Sequence, residues 1–116
     1  MKRENPILEL SFKFALEIIE FTETLEEKKK FVLSRQVLRS GTSIGANIRE
    51  AQSSESKLDF IHKMKIASKE AEETEYWLML CKHSPNYPSN EKLIDKVKEL
   101  QKLLSSIVFT AKNHLH

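Results

Sequence analysis

Residues 39 to 51, RSGTSIGANIREA, decide the fold, because they can be read either as a loop or as a helix. The stretch contains both glycines of the chain together with several small hydroxyl residues, which favours a loop on propensity alone. However, small and apolar residues cross it at intervals of three and four, from Ser34 through Gly41 and beyond. A loop has no reason to keep this helical phase. We therefore predict one continuous helix over residues 34–52, in which Gly41 and Gly45 let a neighbouring helix come close.

The glycines have a second interpretation, a loop that binds phosphate, which their surroundings do not favour. No predicted strand precedes residues 41–45, GTSIG, and the segment fits neither the P-loop pattern nor the dinucleotide-binding pattern. Each glycine also costs the interior of a helix about 1 kcal/mol relative to alanine. Two glycines on or beside one helical seam therefore indicate close helix packing rather than phosphate chemistry.

The segment before this helix, residues 7–26, has apolar residues in two adjacent stripes at helical spacing. Such a face is wider than a two-helix contact needs. The charge run at residues 26–30, EEKKK, then indicates a solvated helix end or connection. The two stripes consist of Leu8, Phe12, Ala15 and Ile19, and of Phe14, Ile18, Phe21 and Leu25.

Two more helical segments complete the chain. Residues 56–83 begin with a Ser-x-x-Asp sequence that resembles a capping box, and they continue as a heptad seam from Phe60 to Cys81. A loop with two prolines and two asparagines, SPNYPSN, separates this helix from the last one, residues 90–112. Four heptad-patterned helices with short connections predict an all-α fold, an antiparallel up-down-up-down four-helix bundle that occupies residues 1–116 as a single domain.

Composition is consistent with a helix-rich globular protein. Of the 116 residues, 40% are hydrophobic and 31% are charged, and the single cysteine, Cys81, excludes an internal disulfide framework. No run approaches the ~18 apolar residues of a membrane span, and the N-terminal sequence is charged too early for a signal peptide. We therefore expect a cytoplasmic protein with no membrane partner. A net charge of +2 permits a local nucleic-acid-binding patch but does not argue for one.

Basic residues on the second and third helices form a candidate surface for RNA or DNA. One stripe of the second helix carries arginines separated by small residues, so that the guanidinium groups can approach phosphates. The first half of the third helix adds lysines. The alternative is ion pairing, because antiparallel packing brings Arg35 and Arg39 level with the acidic second half of the third helix. The candidate nucleic-acid-binding residues are Arg35, Arg39, Arg49, Lys57, Lys63 and Lys65.

A second set of residues is predicted to be structural or to lie at a subunit interface. A small polar stripe on the second helix predicts hydrogen bonds between packed helices, or a polar subunit contact. Tyr76 and Trp77 flank the third seam, where large aromatic residues are either core edge or interface anchors. With the wide face of the first helix, they favour self-association. This set comprises Gly41, Ser43, Gly45, Asn47, Glu50, Glu70, Glu73, Tyr76 and Trp77.

No arrangement of side chains argues for catalysis or for metal binding. Asp59 and His62 form a single Asp-x-x-His motif, whereas carboxylate-bridged di-iron bundles need two such motifs and two further glutamates. Cys81 lies on an apolar seam and has the character of a small buried hydrophobic residue. Glu70 and Glu73 lack the water-excluding pocket that would perturb a carboxyl pKa. We expect no enzyme, no metal and no cofactor.

Two long motifs carry a resemblance to a known family. LSRQVLRSGTSIGANIREAQ (33–52) and DFIHKMKIASKEAEETEYWLML (59–80), with SFKFALEII (11–19), resemble the small bacterial proteins of the 23S ribosomal-RNA intervening-sequence family over nearly the whole chain. The resemblance implies a four-helix bundle that assembles as a homopentameric ring and has no established enzymatic activity. It assigns a structural or interfacial role to the matching positions Arg39, Ser43, Asn47, Glu50, Lys69, Glu70, Glu73, Tyr76 and Trp77.

The resemblance also extends to the accessory protein of diversity-generating retroelements, a basic pentamer associated with a reverse transcriptase and nucleic acid. The present chain is only weakly basic by comparison. Two functional hypotheses therefore remain open. In the first, an oligomeric, non-enzymatic bundle binds structured RNA or DNA through its basic surface. In the second, the protein is a scaffold or adaptor for a protein partner, and its charged faces only keep it in solution.

Overall fold

Four α-helices account for the secondary structure of residues 5–115, the part of the chain that this computed structural model describes. Each helix packs along the next one, and the last returns to the first, while diagonal pairs of these helices do not approach each other. The fold is an antiparallel up-down-up-down four-helix bundle, as predicted, and it measures 52 × 28 × 20 Å. The helices are α1 (Pro6–Glu27), α2 (Phe31–Ala51), α3 (Lys57–His83) and α4 (Glu91–Asn113).

The connection between α1 and α2 is shorter than predicted, because α2 begins at Phe31 and not at residue 34. Lys29 adopts a left-handed conformation, with φ of 62°. The Lys29 N–H donates to the Glu26 carbonyl and the Lys30 N–H to the Leu25 carbonyl, both at 2.8 Å. These two bonds form a Schellman motif, which ends a helix and reverses the chain within a few residues. The lysine run is therefore the turn itself, and the acidic residues before it still belong to α1.

Side-chain caps fix the starts of α3 and α4. The Ser56 hydroxyl accepts a hydrogen bond from the Asp59 N–H at 3.0 Å, as the capping-box pattern predicted. The Asn90 carbonyl oxygen accepts one from the Leu93 N–H at 3.1 Å. Each cap satisfies a backbone donor that the helix itself leaves unpaired. The caps therefore mark where the loops before α3 and α4 end and how these helices enter the bundle.

Both glycines lie inside α2, which confirms the continuous helix. Gly41 faces Ile18 of α1, and a Cβ placed on Gly41 would lie 2.8 Å from two carbons of that side chain. Gly45 faces the backbone of Ser11, at 3.4 Å from the equivalent position. The thin face of α2 is therefore where α1 packs closely against it.

The predicted seams form the core, with small shifts in α3 and α4. All six seam residues of α2 are buried. In α3, Ile61 is buried in place of Phe60, which is only partly covered. In α4, Ile107 and Ala111 are half-buried, so the core thins toward the C-terminal end of that helix. The contact between α1 and α4 is the least extensive of the four contacts between neighbouring helices.

The two apolar stripes of α1 differ in burial. The stripe from Phe14 to Leu25 is buried in the core. In the other stripe, Phe12 is 61% exposed and Ile19 is 43% exposed. α1 thus presents a row of apolar side chains to the outside of the bundle, which the four helices do not use. Among the described helices, none is long and apolar enough to cross a membrane.

Candidate nucleic-acid interface

Arg39 connects α2 to the acidic half of α3. Its guanidinium group donates to the carboxylates of Glu70 and Glu73, and also to the Gln36 amide oxygen. The Trp77 indole N–H donates to the same Glu73 oxygen at 2.9 Å. Four of the motif positions, at Arg39, Glu70, Glu73 and Trp77, therefore form one hydrogen-bonded network between two helices. The ion-pair interpretation is confirmed for Arg39, whose positive charge is already matched by two carboxylates.

The other predicted arginines and Lys63 have different surroundings. Lys63 lies 3.8 Å from the Glu50 carboxylate, which links α3 to α2. Arg35 is exposed and makes no ion pair within residues 5–115. Arg49 is also exposed and without an ion-pair partner there, and it lies at the rim of a groove between α1 and α2. Among these residues, Arg35 and Arg49 keep a free positive charge for an external anion.

Lys57 and Lys65 lie on opposite flanks of the contact between α3 and α4. Lys57 borders a crevice with Phe60 of α3 and the C-terminal half of α4. Lys65 borders a different groove, which contains Lys112 of α4. The six predicted basic residues therefore do not form one continuous patch. The structure divides them among the α1–α2 groove, the α2–α3 contact and the two sides of the α3–α4 contact.

A cluster of positive charge without ion-pair partners in residues 5–115 lies around Lys65. Lys69 follows one turn later on α3, and Lys112 approaches from α4. A hydrogen bond and charge repulsion from Lys112 lower the pKa of Lys65 below its usual value. No carboxylate of residues 5–115 forms an ion pair with any of the three lysines. We call this site of about 370 Å³ the α3–α4 lysine groove. Its lining residues are Lys65, Ser68, Lys69, Ser105, Val108, Phe109 and Lys112.

The sequence prediction missed two of the three lysines in this groove. Lys112 was the last residue of the predicted helix 90–112 and was not among the candidate basic residues, whereas α4 continues to Asn113. Lys69 was assigned a structural role by its motif position, yet its side chain is exposed. The antiparallel register was the available signal. Because a loop of seven residues joins α3 to α4, the C-terminal turns of α4 must return to the level of Lys65.

The predicted structural residues Ser43 and Asn47 form hydrogen bonds within α2 itself. The Ser43 hydroxyl donates to the Arg39 carbonyl at 2.7 Å, and the Asn47 side chain donates to the Ser43 carbonyl at 2.8 Å. The interhelical hydrogen bond comes from a neighbouring position instead, since the buried Thr74 hydroxyl lies 2.9 Å from the Ser40 hydroxyl. The polar stripe thus provides one buried link to α3 and leaves two half-buried side chains with intrahelical bonds.

Tyr76 and Trp77 form an aromatic pair at the edge of α3. Their ring centroids are 5.3 Å apart, with the planes tilted by 60°. Trp77 packs partly against the core, whereas Tyr76 is 58% exposed. Trp77 therefore acts as core edge, and Tyr76 remains available to another molecule.

A second groove, of about 840 Å³, lies between α1 and α2. On the α1 side it is lined by the exposed stripe, including Leu8, Phe12 and Ala15. The α2 side is thin, with Gly45 and Ala46 at its floor. Because α2 has only small residues here, the Phe12 ring of α1 borders a shallow apolar surface.

Chemically reactive groups are sparse in the described part of the chain. Among residues 5–115, no group of three or more His, Cys, Asp or Glu side chains could hold a metal ion. Burial raises the pKa of the Cys81 thiol from 9.0 to about 11, which makes the thiolate scarce at neutral pH. Cys81 is thus a packed core residue. The α3–α4 lysine groove and the α1–α2 groove are the surfaces with the clearest capacity to bind another molecule.

Comparisons with known proteins identify a family and a similar solved structure. The family model described as 23S rRNA-intervening sequence protein matches residues 3–106. The fold is similar to the crystal structure of a protein of unknown function from the S23 ribosomal protein family of Bacteroides thetaiotaomicron VPI-5482, with a TM-score of 0.82. The two sequences are 47% identical, and the match covers 88% of this chain and 97% of that chain. No curated protein matches the sequence.

Proposed function

Because this chain belongs to the 23S rRNA-intervening sequence protein family, we propose that it is a non-enzymatic, self-associating bundle that binds structured RNA or DNA through its exposed basic side chains. The observation that carries the proposal is the cluster of Lys65, Lys69 and Lys112, which lies on one side of the α3–α4 contact without carboxylate partners in the described chain. Arg35, Arg49 and Lys57 add uncompensated charge elsewhere on the surface.

Unmatched lysines at close range favour a polyanion as ligand. Two ammonium groups that repel each other are stabilised when a phosphate lies between them, and a phosphate backbone offers such groups at regular spacing. Binding of this kind releases counterions, so its affinity falls steeply with salt concentration. It needs local charge rather than a high net charge, which agrees with the modest value of +2.

The direct test is fluorescence anisotropy of the purified protein with a labelled RNA hairpin and a labelled DNA duplex, over a series of salt concentrations. We expect micromolar or tighter dissociation constants that weaken steeply as salt rises. Flat titrations at low salt with both probes contradict nucleic-acid binding. They would instead favour the alternative, a scaffold or adaptor for a protein partner.

A charge-matched pair of variants locates the interface. The test variant replaces Lys65, Lys69 and Lys112, which line the α3–α4 lysine groove and have no ion-pair partner in the described chain, by glutamine. The control variant removes the same charge from lysines that are already ion-paired with glutamates, namely Lys13, Lys82 and Lys96. Loss of affinity in the test variant alone supports the proposed surface. Equal loss in both variants means that only total charge matters, which contradicts a specific interface.

Self-association is supported by the exposed apolar stripe of α1. Phe12 is 61% exposed at the mouth of the α1–α2 groove, where Leu8 and Ala15 continue the apolar surface. Contiguous apolar surface of this kind typically marks a contact with another molecule. A second copy of the chain is the occupant we propose, and the family resemblance implies a ring of five copies.

Light scattering coupled to size exclusion measures the mass of the assembly against a protomer of 13.5 kDa. We expect a mass near five protomers for the wild type, and a smaller one for Phe12→Ser. Leu58→Ser is the matched control, because Leu58 is 66% exposed on a different helix and away from the groove. A wild-type protein that remains a monomer at high concentration contradicts self-association, and an unchanged mass for Phe12→Ser contradicts this face.

A further inference from the structure

Phe109 is the most unusual side chain of the α3–α4 lysine groove. It lies on α4, in the turn before Lys112, and 67% of its surface is exposed. The core does not require this ring, because Leu104 and Val108 already fill the adjacent positions toward α3. An exposed aromatic ring gains free energy when another molecule covers it. The position therefore suits a ligand with both an apolar face and a negative charge.

A nucleotide combines these two properties. Its phosphate suits the space between Lys65 and Lys112, whose ammonium groups repel each other in the free protein. Its base offers a flat face, which stacks on an aromatic side chain whatever the base is. Ser68 and Ser105 add hydroxyl groups to the same groove, and these can donate to phosphate or sugar oxygens. The lysines, the Phe109 ring and the serine hydroxyl groups of this groove are thus all suited to binding a nucleotide.

The exposed ring also selects between paired and unpaired strands. In a duplex, both faces of each internal base are covered by its neighbours, so a protein ring has no face to stack on. An unpaired base can turn out of its stack and lie against the ring. Lysines alone would serve a duplex equally well, and the ring is the feature that distinguishes this groove from a general basic patch.

We infer that the α3–α4 lysine groove binds an unpaired nucleotide of a single-stranded RNA or DNA segment, with its phosphate between Lys65 and Lys112 and its base stacked on Phe109. This inference rests on the proposed nucleic-acid binding and adds the type of strand that the groove recognises. In a structured RNA, such a segment would be a loop, a bulge or a single-stranded end.

The test compares two labelled probes of equal length, an unstructured oligouridine and a blunt-ended RNA duplex, by anisotropy at one fixed salt concentration. The key variant is Phe109→Leu, which keeps an apolar side chain but removes the flat ring. Its matched control is Phe31→Leu, which removes another exposed ring at the start of α2, outside the groove. Size exclusion with light scattering verifies that each variant keeps the wild-type assembly.

We expect Phe109→Leu to weaken oligouridine binding by about tenfold, within the range that stacking of one base on an aromatic residue contributes. Duplex binding should change by less than about twofold, and Phe31→Leu should leave both probes unaffected. The pair Lys65→Gln and Lys112→Gln should weaken both probes. In a salt series, this pair should also lower the logarithmic salt slope of oligouridine binding by about 0.7 for each phosphate that the variant no longer neutralises.

The possible outcomes distinguish failure of the stacking site from failure of the proposed nucleic-acid binding. If the wild type binds both probes and Phe109→Leu binds oligouridine like the wild type, nucleic-acid binding stands and the stacking site is overturned. The same holds if Phe109→Leu weakens duplex and single strand equally, or if it only changes the mass of the assembly. If the wild type binds neither probe at low salt, both the inference and the proposed function are overturned.

Discussion

The Cα of Gly41 packs directly onto the side chain of Ile18, so that a Cβ at position 41 would lie 2.8 Å from both Cγ1 and Cγ2 of the isoleucine. Ile18 is fully buried in the core, so any shift of its side chain must also displace neighbouring core residues. Gly45, one turn later, meets the Ser11 backbone at the ordinary contact distance of 3.4 Å. The two glycines of α2 therefore differ in how strictly the packing of α1 requires them.

Gly41→Ala should destabilise the bundle, whereas Gly45→Ala should not. Alanine gains about 1 kcal/mol of helix propensity at either position. At Gly41, overpacking against Ile18 costs about 1–3 kcal/mol, so the net loss of stability should be up to about 2 kcal/mol. At Gly45, the new methyl group fits, and stability should stay level or rise by up to about 1 kcal/mol. Urea unfolding followed by circular dichroism measures both. A Gly41→Ala protein as stable as Gly45→Ala contradicts the close approach at Ile18.

The helices and most of the core could be predicted from the sequence, because burial in a bundle repeats with the helical period. The seam through Gly41 is the clearest case, since glycine and serine keep the phase that apolar residues would have. Periodicity could not decide between the two stripes of α1. Both have the same spacing, and only the positions of α2 and α4 determine that Ile18 is buried while Phe12 is exposed.

The candidate site was less predictable, because it depends on which side chains meet across helices. The ion pair of Arg39 and Glu73 could be predicted from the sequence, because antiparallel packing of α2 and α3 brings the two residues to the same height in the bundle. The contact of Lys65 with Lys112 depends on the register of two helices joined by a seven-residue loop. The exposure of Phe109 follows from the phase of α4, because the residue lies two positions after Ile107 of the seam and so faces away from the core. Its place beside Lys65 depends on the same interhelical register.

Lys29→Gly should stabilise the protein. Lys29 is held at a φ of 62°, a conformation that a side chain with a Cβ adopts at a cost of about 1–2 kcal/mol and that glycine adopts freely. Part of this gain is offset, because glycine is more flexible in the unfolded chain. We expect a net increase of about 0.5–1 kcal/mol in the free energy of unfolding. Lys28→Gly is the control at a negative φ, and it should lower stability instead.

The buried hydroxyl pair of Ser40 and Thr74 should contribute to stability as a coupled unit. Their oxygens lie 2.9 Å apart, and both residues are fully buried. Thr74→Val should cost about 0.5–1.5 kcal/mol, because the Ser40 hydroxyl then has one partner fewer in the core. Replacing both residues, with Ser40→Ala added, should cost less than the sum of the single changes. Strictly additive effects in this double-mutant cycle contradict an energetically significant hydrogen bond.

The Cys81 thiol should react slowly with disulfide reagents in the folded protein. Its side chain is fully buried, and burial raises its pKa to about 11. At pH 8 the thiolate fraction is then about a hundredfold lower than for a thiol of pKa 9.0. The expected labelling rate of the native protein is therefore at least about a hundredfold below that of the protein in guanidinium chloride. Rapid labelling at equal rates in both states contradicts a buried Cys81.

The same raised pKa predicts how Cys81 affects stability at alkaline pH. The folded state holds the thiol proton more tightly than the unfolded state, where the pKa is near 9.0. This contribution is fully present below pH 9, and it is lost as pH rises from 9 toward 11, because the unfolded state then loses its proton first. Lysine and tyrosine side chains also titrate in this range, so the informative quantity is the difference between wild type and Cys81→Ala. We expect the alanine variant to be less stable at pH 7, because it leaves a small cavity. The gap should narrow between pH 9 and 11, as measured by urea unfolding, and a gap that stays constant or widens contradicts the effect of burial on the thiol.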